Sequence, residues 1–157
     1  KWFKPIWNDR NWDDYYIFEI LKQKLILQRE YLIKNNRHLR IDQDNRDMTI
    51  CLNLIERCQE EYYNMEHSNY EKSEIEFIDT ENPELKEMKT KYISDNLEDY
   101  FKKYPNSYRR ILKETNTERW TVWNKHTQAM ALGDYNQAKC QRLLFKILNE
   151  RINNFWD

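Results

Sequence analysis

Apolar residues recur every three or four positions along most of the chain, the period of helices that bury one face. Ile17, Leu21, Leu25, Gln28 and Leu32 predict a helix over 13–35, capped by Asp13 and closed by Asn35-Asn36. Asp47, Ile50, Cys51, Leu54, Ile55, Cys58 and Tyr62 predict a second over about 44–64, antiparallel to the first. From Met65 the period dissolves, and Ile75 and Phe77 alternate with Glu74 and Glu76, so 65–82 reads as an irregular excursion with an extended segment. Asn82-Pro83 has the form of a helix start. Leu85, Met88, Tyr92, Leu97, Tyr100, Phe101 and Tyr104 carry that third helix up to Pro105. A fourth spans about 107–132 through Tyr108, Ile111, Leu112, Trp120, Trp123 and Met130, with Gly133 as its C-cap. Asp134 caps a fifth, whose Ala138, Cys140, Leu144, Phe145, Ile147, Leu148, Ile152 and Phe155 make it central. Residues 1–12 form an aromatic N-terminal arm of Trp2, Phe3, Trp7 and Trp12 without helical period. The pattern predicts an all-α, single-domain antiparallel bundle of four to five helices over 1–157.

Composition removes several function classes. The chain has one glycine, Gly133, so neither a phosphate loop nor a dinucleotide fingerprint can be built. With 26 basic against 27 acidic residues, no global field draws it to nucleic acid. Apolar runs such as Leu143-Leu144-Phe145 fall far short of the roughly 20 residues that span a bilayer. The chain opens on no secretory pattern, and an intracellular protein is the expectation.

Catalytic and metal motifs are also missing. None of His38, His67 and His126 follows a glutamate by three residues, and Glu66-His67 lacks the second histidine of a zinc protease. His67 reads as a polar loop residue. Ser68, Ser73, Ser94 and Ser107 stand on no glycine elbow, and Glu60-Glu61 reads as a solvated face. Cys51, Cys58 and Cys140 include no redox or zinc pair and read as small buried hydrophobes. No catalytic residue, metal or cofactor is expected.

Aromatic and cationic residues gather near the two ends. Trp12 and Lys24 lie near one end, and Arg142, Lys146, Arg151 and Trp156 near the other. An aromatic ring beside guanidinium groups grips a base and its phosphates. Trp12 or Trp156 would stack on a base, Arg142, Lys146 and Arg151 would hold phosphates, and Lys24 would join them. The alternative is that these long stems cover core surface and pair with Asp13 or Asp47.

Asn11-Trp12-Asp13-Asp14-Tyr15-Tyr16 with Lys24-Leu25, the run Ile50 to Arg57, and Gly133-Asp134 through Arg142-Leu143-Leu144-Phe145-Lys146-Ile147-Leu148 to Phe155-Trp156-Asp157 resemble a family of small phage-encoded helical proteins. That family usually closes on Trp-Trp-Asp, where this chain has Phe155-Trp156-Asp157. The resemblance covers the first two helices and the last. It implies a phage gene product working in the host bacterial cytoplasm. Joined to the end clusters and the missing catalytic motifs, it sets the expectation of a non-enzymatic sponge, a homo-oligomer that sequesters the cyclic nucleotide or cyclic ADP-ribose signals of CBASS and Thoeris defence. A protein-binding inhibitor of a host factor or a virion accessory protein, anchored by tryptophans such as Trp120 and Trp123, is the alternative. A third is an enzyme with an unfamiliar site drawing on Asp13, His67 or Glu150.

Overall fold

The computed structural model describes residues 15–35, 40–67, 74–82, 84–91, 97–114 and 124–155. Over these the chain is mostly helical, with six α-helices and a small two-stranded sheet. Its order is α1 (Tyr15–Asn35), α2 (Ile41–Gln59), α3 (Tyr62–Met65), β1 (Glu74–Asp79), β2 (Lys86–Lys91), α4 (Leu97–Lys103), α5 (Pro105–Glu114), α6 (Lys125–Arg151) and a 3-10 turn (Ile152–Phe155). Two compact units divide it, one made of residues up to Glu61 and from Gln137 onward, the other of Tyr62–Asn136.

The first unit is three helical segments around one core. Phe18, Leu25 and Leu32 recur every seven residues on α1 and are buried. Met48, Cys51, Leu54, Ile55 and Cys58 of α2, Cys140, Leu144 and Leu148 of α6, and Phe155 are buried in the same unit. Removing each such large side chain from water contributes about 1.5–3 kcal/mol. Ile17, on the expected stripe, is instead exposed. Polar contacts fix the directions: Glu19, Lys22 and Arg29 of α1 meet Gln59, Glu56 and Thr49 of α2 at 3.2, 3.7 and 3.2 Å, in reversed order, so the pair is antiparallel. Gln137 donates to the Cys58 carbonyl at 3.1 Å and Arg151 lies 3.5 Å from Asp47, so α6 runs antiparallel to α2 as well. Gln28 donates to the Phe155 carbonyl at 2.6 Å and holds the terminal turn on α1.

The expected second helix is two. It breaks at Glu60-Glu61, where Glu61 takes a left-handed φ of 46° before α3 begins.

The second unit departs furthest from the sequence reading. Of the helix expected from Pro83 to Tyr104 the last part is helical, as α4, while Lys86–Lys91 is β2 and forms an antiparallel hairpin with β1, the extended segment expected around Ile75 and Phe77, pairing Glu74 with Lys91, Glu76 with Lys89, Phe77 with Met88 and Asp79 with Lys86. Its ends carry ion pairs, Glu74–Lys91 at 3.4 Å and Asp79–Lys86 at 3.3 Å. Asn82 does cap a backbone N–H, but that of Glu84 at 3.1 Å, closing a turn of the hairpin loop instead of opening a helix. Thr80 secures the loop by donating to the Leu85 carbonyl at 2.8 Å. Opposite charges facing across the strands favour this pairing over a local helix, because Met88 is the only large apolar side chain in β2.

The helix expected over 107–132 is α5, which ends at Glu114, and the start of α6; Trp120 and Trp123 lie outside the described residues. Pro105 follows α4 and is the first residue of α5, the helical position that needs no N–H. Gly133 is not a C-cap and Asp134 is not an N-cap: both lie inside α6, which Asn124 caps by accepting from the Thr127 N–H at 2.8 Å. Tyr100, Phe101, Ile111, Ala129 and Leu132 form the core of this unit, with Tyr104, Tyr108 and Tyr135 packed against it.

Candidate functional site

Proline and aromatic residues around Pro105 shape a groove in the second unit. Pro105 separates α4 from α5, and Phe101 and Tyr108, on either side of it, stack with centroids 4.3 Å apart and planes 10° from parallel. The Tyr108 hydroxyl donates to Gln128 Oε1 at 2.6 Å, which pins the outer ring to α6. A cavity of about 290 Å³ opens over this stack, lined also by Glu98, Lys102, Pro105, Arg109 and Lys125. A second, of about 240 Å³, lies between Asn106, Arg109, Arg110 and Lys113. Arg109 borders both.

The charges differ in how far they are committed. Lys125 is ion-paired with Glu98, and their hydrogen bond pushes the lysine up and holds the carboxyl below its usual range. Lys102 lies 3.4 Å from Asp99. Arg110 rests its guanidinium 5.4 Å from the centre of the Tyr135 ring, a cation–π geometry. Arg109 donates to the neutral Asn106 Oδ1 at 3.1 Å, so this bond leaves its charge uncompensated. A planar aromatic floor with an arginine fork at its edge can stack a flat ring and hold a phosphate or carboxylate attached to it.

A buried polar cluster lies in the same unit. His67 does lie in the turn after α3, but it is buried: it is 4% exposed, with its ring 5.1 Å from Tyr100 and 6.0 Å from His126. Among the described residues neither ring nitrogen of His67 has a hydrogen-bond partner. Burial lowers its pKa, and His126 adds to the effect, against weaker opposition from its own backbone, Asp134 and Glu66. Burial also lowers His126. The Tyr100 hydroxyl donates to the Tyr63 carbonyl at 3.0 Å, and burial pushes its pKa upward. At neutral pH the lowered pKa values favour the uncharged form of both histidine rings.

The residues singled out from the sequence meet different fates. Trp12 and Trp156 lie outside the described residues. Lys24 is exposed on α1, and Arg142 and Lys146 are exposed one turn apart on α6. Arg151 is half-buried, its Nε 3.5 Å from Asp47 Oδ2, and Gln43 donates to the other oxygen of that carboxylate at 2.8 Å. The pairing with Asp47, the alternative for these cations, is therefore present for Arg151. Phe101, Tyr108, Arg109 and Lys113 were not read as a site, although aromatics and cations flanking Pro105 were the available signal.

Among the described residues no group of three or more His, Cys, Asp or Glu side chains is placed to hold a metal ion. None of the described helices is long and apolar enough to cross a membrane. Comparison with protein-family models, with curated proteins and with solved structures finds no match to this chain.

Proposed function

We propose that this protein is a non-enzymatic sponge of phage origin that captures a phosphate-bearing cyclic nucleotide or cyclic ADP-ribose signal in the host bacterial cytoplasm, as a homo-oligomer. The observation that carries the reading is the Phe101–Tyr108 stack with Arg109 at its edge, a place for a base and a phosphate at once. Lys113 and Arg110, around the adjoining cavity, suit a further phosphate. Arg142 and Lys146 remain a second surface for the same ligand class, with Lys24, Trp12 and Trp156 as its other proposed members. The reading also takes the helices as an antiparallel bundle, supported by the opposed order of contacts of α2 with α1 and with α6.

A thermal-shift screen against cyclic di- and trinucleotides, cyclic ADP-ribose isomers and linear controls tests the proposal. A ligand at about a hundred times its Kd adds roughly 2.7 kcal/mol of stability. The expected result is a raised midpoint with one cyclic compound, recovered with unchanged mass after denaturation. No shift with any member overturns the reading, and a changed mass replaces it with an enzyme.

The hairpin favours the second reading, a protein-binding inhibitor of a host factor or a virion accessory protein. Ile75 and Phe77 share one face with Met88, and these three and Leu85 are 59, 62, 58 and 61% exposed. A two-stranded sheet gains little stability alone, and an apolar face of this kind suits a protein surface. Affinity capture from infected cells with the native chain and a Phe77→Ser, Met88→Ser variant separates the readings: a host protein retained by the first and lost by the second supports it.

A further inference from the structure

Two of the three cysteines face each other inside the first unit. Cys58, in the last turn of α2, and Cys140, on α6, lie 82 positions apart in sequence with their sulfurs 3.7 Å apart. Both are buried. The Cys140 thiol also points at the Leu54 carbonyl at 3.6 Å, so the sulfur is held on the α2 side of its helix. A disulfide needs its sulfurs about 2.05 Å apart, so rotation about the two Cα–Cβ bonds would have to supply an approach of about 1.7 Å.

We infer that Cys58 and Cys140 form a dithiol site that a low-molecular-weight disulfide closes to an intramolecular bond. In the first step the thiolate of Cys58, 6% exposed against 3% for Cys140, attacks the small disulfide. A mixed disulfide forms on Cys58 and one small thiol leaves. In the second step the Cys140 thiolate attacks the Cys58 sulfur, the Cys58–Cys140 bond forms, and the second small thiol leaves. Two electrons and two protons pass from the protein thiols to the two small thiols. Cys51 stays out: it is fully buried, and burial together with the Asp47 charge pushes its pKa up to about 11.

The position of the site gives the bond a structural consequence. The chain passes from the first unit to the second after Glu61 and back before Gln137, so the bond joins the two sides of that excursion a few residues from each crossing. The whole second unit becomes part of a closed loop, and closing a long loop removes disorder from the unfolded chain. The thiols stay reduced in a strongly reducing compartment and close when its thiol pool is oxidised.

The test is to equilibrate the full chain in buffers of increasing oxidised-to-reduced glutathione ratio, quench with an alkylating agent, and read intact mass and peptide maps. The expected product has lost two hydrogen atoms, carries a Cys58–Cys140 link with Cys51 alkylated, and melts several degrees higher. Cys51→Ala should close as the native chain does, while Cys140→Ser should stop at a glutathione adduct on Cys58. Three alkylated thiols at the most oxidising ratio overturn the inference. So does a stable glutathione adduct without a link in the native chain, or a link that contains Cys51.

Discussion

Gly133 of α6 lies so close to Asn64 that a Cβ added to the glycine would stand 2.2 Å from the Asn64 side-chain oxygen. The Tyr63 carbonyl and the Asn64 Cα would lie 3.1 and 3.3 Å away, and backbone atoms cannot swing aside. The glycine is needed for this close approach, since its φ is not positive. Gly133→Ala gains about 1 kcal/mol in helix propensity and meets an overpacking cost of about 1–3 kcal/mol. It also forces Asn64 to give up its 3.2 Å bond to Asp134. The expected net effect is a lower thermal midpoint, part of which Asn64→Ala restores in the double variant. A stabilised Gly133→Ala chain would sink this account.

The Arg151–Asp47 pair ties α6 to α2. Among the described residues Arg151→Met would leave a carboxylate 12% exposed with Gln43 alone to answer it, at a cost on the order of 1–3 kcal/mol. Chemical denaturation checks the loss. Asp47→Asn in the same background should recover part of it, because the buried charge is then gone. Equal additive losses would show that the two side chains do not interact.

How much of this was legible depends on whether local pattern or remote contact decides each element. Met48, Cys51, Leu54, Ile55 and Cys58 bury one face of α2, so helical spacing alone finds it, and Asn35, donating back to the Tyr31 carbonyl at 2.8 Å, ends α1 as its residue type suggests. β2 was missed because what selects it is a set of partners on β1. Gly133 misled for a related reason: glycine after an apolar run usually closes a helix, and here a remote neighbour, Asn64, demands it. The candidate site divides the same way. Arg142 and Lys146 are on the surface, as cations of an α6 face are, but the partner of Arg151 on another helix could only be offered as an alternative. The groove depends on two helices meeting at Pro105, which spacing within either helix does not report.

Arg109 separates the two proposed binding surfaces. If the ligand uses the Phe101–Tyr108 groove, Arg109→Ala should weaken binding of the compound found in the screen at least about tenfold, the loss of roughly 1.4 kcal/mol that one charge-assisted bond represents. The fold should tolerate the change, because the residue is exposed and its hydrogen bond is to a neighbour on its own helix. An Arg142→Ala, Lys146→Ala variant should bind as the native chain does. Calorimetric titration of both variants decides it, and the opposite pattern moves the ligand to α6.

Buried, neutral His67 ties the second unit to pH. Its folded pKa lies below the ordinary value of 6.5, through burial first and the neighbouring His126 second. The groups facing it are His126, Tyr100, Asp134 and Glu66; the two carboxylates pull the other way and do not reverse the shift. Below pH 6.5 the unfolded chain therefore takes up a proton that the folded chain refuses, so stability is complete above that value and falls as pH falls through it. The slope from this one group cannot exceed about 1.4 kcal/mol per pH unit, the limit for one proton. His67→Phe keeps a ring against Tyr100 and removes the proton, so its denaturation midpoint should fall less steeply between pH 6.5 and 5 than that of the native chain. The acid sensitivity left to His126, whose pKa burial also lowers, should remain in that variant and shrink further in His67→Phe, His126→Phe. Identical pH profiles for the native chain and His67→Phe would mean that His67 takes up its proton as readily folded as unfolded, against the burial seen here.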